Sequence, residues 1–243
     1  MTILVVGASG ATGRQLVTQL LQLEQQLKVI VRSMEDLPES WKNNERLTII
    51  NASVLELSHA EMVQYVQGCD AVASCLGHNL TFKGIYGHPR RLVTDAVRRL
   101  SNAITANKPT KPIKLLLMNT TGNRNRDLKE SISIAQKCVI GLIRFLLPPH
   151  VDNEQAADYL RTKVGQDNRY LEWVAIRPDS LINEDEVTEY TLYASPIRSA
   201  IFNAGKTSRI NVGHFMASLI IDDSVWQRWK GQMPVIYNTS SLD

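Results

Sequence analysis

Short apolar runs alternate with longer amphipathic stretches along the chain. Ile3 to Val6, Leu27 to Val31, Leu47 to Asn51, Ala71 to Cys75, Ile113 to Met118 and Tyr170 to Ile176 each read as a strand. The first is unbroken, as a strand buried on both faces of a parallel sheet requires. Arg14 to Gln25 carries Leu16, Leu20, Leu21 and Leu23 at roughly helical spacing, and Arg90 to Asn107 predicts a long helix ending before Pro109. Ser58 with Glu61 three residues on predicts a capping box, for a helix that runs to about Gln67 and is stopped by Gly68. Residues 34–46 are polar, contain Pro38 and predict a loop with at most a short helical turn. Residues 78–88 predict a loop rich in glycine and aromatics. Glu189 to Tyr193 and Val235 to Asn238 add short strands, and about Gly213 to Ile221 a late helix.

The most apolar stretch predicts one helix from Leu128 to Leu147, stopped by Pro148-Pro149, and a next helix from about Asp152 to Gly165. Ile132, Ala135, Val139, Leu142, Ile143 and Leu146 fall on one face. Ile134, Ile140, Phe145 and Leu147 make the remainder apolar as well. Three readings stand for helix 128–147: a core helix, a homodimer or protein contact, and a hydrophobic lid or membrane-surface contact. Cys138 to Leu147 is interrupted by Arg144 and falls well short of the about 20 residues of a membrane span.

Composition narrows the class. With 44% apolar and 21% charged residues, the 243-residue chain reads as an ordinary globular domain with a full core. A net charge of +3, with basic residues scattered, does not argue for nucleic acid. Cys69, Cys75 and Cys138 have neither metal-site nor disulfide-framework spacing and fit a reducing cytoplasm, and no metal is expected. The amino-terminal apolar run is too short for a signal peptide.

The candidate chemistry begins where the first strand ends. Gly7-Ala8-Ser9-Gly10-Ala11-Thr12-Gly13 joins a strand to a helix. Gly7 permits a tight turn, Gly10 a close approach of backbone to a pyrophosphate, and Gly13 close packing of helix on strand. The first helical turn offers unpaired N–H groups to phosphate oxygens, and Ser9 and Thr12 add hydroxyls. At the tip of the second strand, where a dinucleotide fold holds the adenosine ribose, stands Arg32 beside Ser33. A guanidinium suits a 2′-phosphate, so NADP(H) is expected over NAD(H).

The GxxGxxG spacing resembles the extended and atypical short-chain dehydrogenase/reductases. The GASGATG form is most similar to the atypical branch, which includes NmrA-like and biliverdin/flavin-reductase-like proteins. The resemblance implies an α/β fold: a doubly wound parallel Rossmann sheet in a single domain over 1–243, with residues about 181–212 and 222–243 forming a small C-terminal substrate lobe. It also implies that Ser53 and Val54 lie near the adenine, Ser53 standing where relatives carry an aspartate. Cys75, Leu76 and Gly77 would pass the nicotinamide-side ribose. Asn119-Thr120-Thr121-Gly122 stands where relatives carry Ser-Ser-x-Gly, so Thr120 either polarises a substrate carbonyl or caps nearby backbone. Arg177-Pro178 matches a turn that adjoins the nicotinamide amide in relatives.

Active members use Tyr-x-x-x-Lys, and Tyr159 and Lys163 have that spacing. Yet Tyr159 falls late in its helix, only 18 residues before Arg177, so the pair reads as coincidence. His150, where that tyrosine should begin its helix, is an alternative proton donor or a capping residue; His214 reads as structural. The expected function is hydride transfer from NADPH to a small planar acceptor such as a flavin or quinone. A non-enzymatic NADP(H)-binding sensor is the alternative, and a sugar-nucleotide epimerase or dehydratase a weaker third.

Overall fold

Alternation along the first strand sets up two cores. In β1 (Thr2–Val6), Ile3 and Val5 face one side of the sheet while Leu4 and Val6 face the other, all fully buried. β2 (Gln26–Val31), β3 (Leu47–Asn51), β4 (Ala71–Ser74), β5 (Ile113–Met118) and β6 (Leu171–Pro178) join it in parallel. The sheet order is β3-β2-β1-β4-β5-β6, closed by β10 (Val235–Asn238) and β8 (Tyr190–Tyr193), with only the β10–β8 pair antiparallel. The chain reverses direction of travel between β1 and β4, so the crevice beyond their carboxyl ends is the natural ligand site of this doubly wound sheet. The computed structural model describes residues 1–239 apart from 36, 79, 80, 129 and 131, with Lys83 described by its backbone alone.

Helices α1 (Ala11–Gln22), α8 (Arg209–Ile221) and α9 (Asp223–Trp229) cover one face. α3 (His59–Val66), α5 (Leu92–Asn107) and α7 (Pro148–Tyr159) cover the other, where Met62, Val97, Leu100 and Ala156 meet Val72, Leu115 and Leu117. α8 crosses α1 closely at Gly213: a Cβ there would lie 2.9 Å from Gln19 Nε2 and 3.0 Å from Gln15 backbone. Gln19 Nε2 donates to Ile210 O, tying the two helices together. β9 (Lys206–Ser208) pairs with β7 (Ser180–Ile182) in a separate small sheet, and Ser208 Oγ caps α8 by accepting from Asn211 N.

Several expectations need correction. Helix 128–147 is shorter: α6 (Ile134–Leu146) starts only after Ser133, whose Oγ accepts from Gln136 N; residues 129 and 131 lie outside the described residues. Pro148-Pro149 opens α7 rather than merely ending α6, because prolines lack the N–H that a first helical turn leaves unpaired anyway. The two helices meet at 104°. A π-helical turn, Leu160–Val164, follows α7. The core reading of α6 fails, since only Gln136 and Ile140 are buried while Ile134, Leu142 and Phe145 are 78%, 57% and 85% exposed.

The loop expected over 78–88 contains the short helix α4 (Phe82–Tyr86), and residues 79 and 80 lie outside the described residues. The polar 34–46 segment holds a single turn, α2 (Glu39–Lys42). The late helix begins four residues early, at Arg209. Of the expected lobe, residues 222–239 belong to the main body: Trp226 and Trp229 on α9 enter the core and β10 lies inside the large sheet, while residues 240–243 lie outside the described residues. Among the described residues no single helix is long and apolar enough to cross a membrane.

Candidate functional site

The crossover from β1 to α1 is a backbone surface that side chains would destroy. Gly7 has φ +75°, and a Cβ there would lie 2.6 Å from the Cys75 carbonyl carbon and 2.7 Å from Leu76 N. A Cβ on Gly13 would lie 2.1 Å from Gly7 O, so no other residue lets α1 begin against the strand end. Gly10 N donates to Gly7 O at 3.1 Å and closes the turn. Gly10 is the N-cap of α1 and provides no side-chain cap, and the first turn contains no acid. That helix end is therefore open to an anion, with its N–H groups and positive dipole end unopposed by a side chain. Ser9 and Ala11 are exposed on it, while Thr12 is turned inward and buried.

Sequence reading missed Arg14, whose Nε donates to Ser9 O at 3.0 Å and so brings a guanidinium onto the same turn. A cation one residue after the third glycine was the available signal. Arg32 directly follows β2 and is exposed, on the strand neighbouring β1; Ser33 Oγ accepts from Glu35 N. Ser53 is half-buried, and Val54 is buried against Leu4 and Val6. Leu76 and Gly77 leave β4 beside Gly7. The Cys75 side chain points away into the core, 3.9 Å from Met216 Sδ, and burial pushes its thiol up to about 12. Only its backbone can face a ligand.

Past β5, Asn119 is a brace. Its Oδ1 accepts from Thr120 N at 2.8 Å and its Nδ2 donates to Asn153 O on α7 at 2.9 Å. Thr120 Oγ1 accepts from Gly122 N at 3.3 Å, the backbone-capping alternative, yet the hydroxyl proton stays available to an acceptor. His150 lies beside it. The place a Cβ would take on Gly122 is 3.2 Å from His150 Cε1, 3.6 Å from its Nδ1 and 3.7 Å from Thr120 Oγ1. The fold thus brings Thr120 and His150 together around Gly122, where a side chain would press on the imidazole.

On the far side of the ring, His150 Nε2 stands 3.4 Å from Glu154 Oε1, an ion-pair distance with no well-aligned hydrogen bond. Arg144 grips both oxygens of Glu154 at 2.8 Å. Burial alone would raise the Glu154 carboxyl, but His150 and Arg144 together bring it down to about 2. Glu154 is therefore a fixed negative charge behind the imidazole. A second histidine, His78 at the end of β4, is joined to Asp152 of α7 at 2.8 Å.

Other candidates lie elsewhere. Tyr159 packs on α5, with Arg98 over its ring at 5.8 Å, and burial raises its phenol. α7 begins at the site with His150 and runs away from it. Tyr159 is nine residues further on, roughly 13 Å at 1.5 Å per residue. Lys163 is exposed in the π-helical turn. The pair does not meet Thr120.

The Arg177 and Pro178 expectation is corrected too. Arg177 is fully buried, its guanidinium bonded to Glu130 and to the carbonyls of Met233, Asn123 and Ala194. Pro178 O accepts from Thr121 N. Both hold the chain together rather than facing a ligand. His214 packs against Tyr190, with Nδ1 2.8 Å from its hydroxyl and its imidazole pKa lowered by burial.

Next to Gly122 opens a cavity of about 270 Å³ between the start of α6 and residues 196–200. It is walled by Ile132, Gln136, Ile140 and Ile197 among others. The arrangement is a glycine turn with an uncapped helix start on one side of the crevice, and a hydroxyl, an imidazole and a half-apolar cavity on the other.

Comparison with known proteins agrees with this picture. A family model described as NAD(P)H-binding matches residues 7–223. No curated protein matches. Among solved structures, a short-chain dehydrogenase/reductase from Veillonella parvula in complex with NADP is similar at TM-score 0.70 and 17% identity, over 99% of this chain and 95% of that one. A protein from Streptococcus pneumoniae provisionally assigned as an NADH-flavin reductase gives 0.65 and 15%, over 98% and 100%. An anaerobillin reductase from Escherichia coli O157:H7 gives 0.68 and 12%, over 98% of each chain. What these three share with the chain is the fold.

Proposed function

The chain belongs to the NAD(P)H-binding family, and from that premise we propose that it is an NADPH-dependent reductase that passes hydride to a small planar acceptor, a flavin or a quinone. The observation that carries this reading is the placement of Thr120, Gly122 and His150 around one point, beside a cavity and across the crevice from the glycine turn. A flavin reductase and an anaerobillin reductase among the proteins of the same fold support the acceptor class.

The cofactor residues would be the Gly7–Gly13 turn with Ser9, Ala11 and the amides of α1 on the diphosphate, Arg32 and Ser33 on a 2′-phosphate, Ser53 and Val54 near the adenine, and Leu76 and Gly77 along the ribose. A tight glycine turn leading into a helix start without a side-chain cap or an acid fits such a group. When bound, a reduced nicotinamide supplies the hydride. The chain's own residues do the rest. The Thr120 hydroxyl donates to the acceptor's carbonyl oxygen or ring nitrogen. His150, with Nδ1 toward Gly122 and Glu154 behind it, supplies the proton that accompanies the hydride. NADPH preference rests on Arg32, a guanidinium at the ribose end where an acid would repel the phosphate.

The test is NADPH oxidation over a panel of flavins and quinones, with NADPH and NADH titrated separately by calorimetry. Turnover with His150→Ala slowed by about 10²-fold is the expected result. Tighter binding of NADH than NADPH would retire the cofactor preference. The exposed apolar face of α6 favours a second reading, an NADP(H)-binding sensor that docks a protein through Leu142 and Phe145. Tight NADPH binding without turnover on the whole panel would select it. The free thiols of Cys69, Cys75 and Cys138 fit a reducing compartment for either.

A further inference from the structure

The cavity beside Gly122 has an unbalanced charge. Arg124 and Arg198 both line it, together with Glu130. Glu130 is fully engaged: its oxygens accept from both terminal nitrogens of Arg177 and from Asn125 N. Asp179, whose carboxylate feels the Arg198 charge, is likewise held, by Thr121 Oγ1 and Gly205 N. Three guanidiniums, Arg124, Arg177 and Arg198, therefore face two carboxylates, Glu130 and Asp179, and one positive charge is left over.

The surplus is located. Arg124 donates from Nη2 to Glu130 O at 2.6 Å, but its Nε is buried with no partner. Arg198 is half-buried, and its guanidinium makes no hydrogen bond among the described residues. The Arg124 Nε is sealed from the cavity, so what Arg124 and Arg198 offer it is positive charge and the remainder of their guanidinium groups. A second cavity of about 310 Å³ shares Gly122, Arg124, Ile132 and Ile140 with the first, and Arg124 stands between the two. Ile132, Ile140 and Ile197 give the remaining wall an apolar surface.

We infer that this cavity takes an anionic arm of the acceptor, a carboxylate or phosphate held by Arg198 and Arg124, while the acceptor's ring lies against the isoleucines. The inference rests on the reductase reading for the acceptor's identity as a flavin- or quinone-like molecule, and it adds what that reading lacks, the charge of the substrate. Arg198 and Arg124 are then specificity residues. They select the charged member among otherwise similar planar molecules.

The experiment compares matched pairs by fluorescence quenching and calorimetry on the full chain, with and without NADP⁺: FMN against riboflavin for a phosphate, and a naphthoquinone propanoate against its methyl ester for a carboxylate. In at least one pair the charged member binds about tenfold tighter, as expected of a charge-assisted contact in a half-buried site, and the preference shrinks with added salt. Arg198→Gln removes the preference and leaves the neutral member's affinity unchanged. Arg124→Gln does the same, and Arg198→Gln keeps the test sound should Arg124→Gln loosen the 123–130 segment. Equal or absent binding of charged and neutral members in both pairs overturns the inference. If the charged preference appears but the chain binds neither NADP⁺ nor NADPH, the reductase reading falls and the anion site stands.

Discussion

Asp152 holds His78: its Oδ2 lies 2.8 Å from the ring Nε2, with both side chains buried. The same carboxylate accepts from Val93 N at 2.8 Å and Thr94 N at 3.0 Å, so a residue of α7 caps the start of α5. An ionised carboxylate can only accept, which fixes the proton of His78 on Nε2. One side chain thereby joins the end of β4, the start of α5 and α7, the three elements that frame the crevice behind Thr120.

Asp152→Ala should therefore cost about 2–4 kcal/mol in urea unfolding, since it strips a buried charged acceptor from three donors at once. Asp152→Asn, which keeps one cap oxygen, should cost less. Acid should do the same to the native chain. Hydrogen bonds from His78 and Thr94 outweigh burial and hold Asp152 below the usual aspartate range, and Glu154 sits at about 2. Both folded values lie below the unfolded ones of about 3.9 and 4.3, so the stabilisation is complete above those values and is lost as the pH falls through the folded ones. Unfolding free energy should drop steeply below about pH 4, and less steeply in Asp152→Asn.

Gly13→Ala should abolish measurable NADPH binding and lower the melting temperature, because its Cβ would lie 2.1 Å from a backbone oxygen that cannot move without displacing the strand end. Gly141→Ala on α6, where a Cβ meets nothing within 4 Å, is the matching control. That substitution should raise stability by up to about 1 kcal/mol. Calorimetry with NADPH and thermal denaturation separate the two.

Tyr159→Phe should leave turnover within about twofold of the native chain, since the phenol lies on α5 well down the helix from His150. Steady-state rates on the best acceptor decide it. Collapse of the rate would restore Tyr159 and Lys163 as the acid pair and with them the epimerase or dehydratase alternative.

Glu130→Ala leaves the Arg177 guanidinium fully buried without its counter-charge and should cost about 3–5 kcal/mol. Glu130→Gln, which keeps an acceptor at one nitrogen, should fall between. Chemical denaturation of the three chains gives the order.

Local signals were the readable ones. β5 spans Ile113–Met118 as its apolar run implied, and the Ser58–Glu61 box forms both of its hydrogen bonds. The glycine turn was legible because strand, spacing and helix are all short-range. α6 was misread in a specific way. Apolar residues at 128 and 132 continue a helical pattern that the Ser133 cap interrupts, and periodicity shows which face is apolar without showing whether anything covers it. Asp152 and His78 are 74 residues apart, Glu130 and Arg177 47 apart. No pattern in the chain announces such partners, so the engagement of Arg177 inside the body could not be read from the Arg-Pro turn. His150 was read from its register against the missing tyrosine, and the fold sets it at the start of α7 beside Gly122.

The close crossing at Gly213 has a mechanical consequence. α1 carries the glycine turn at its start, and α8 springs from the Ser208 cap at the end of β9. With Gly213 letting α8 close on α1 and Gln19 bonded across the crossing, the two helices should move as one rigid unit, so a shift of α8 displaces the glycine turn at the start of α1.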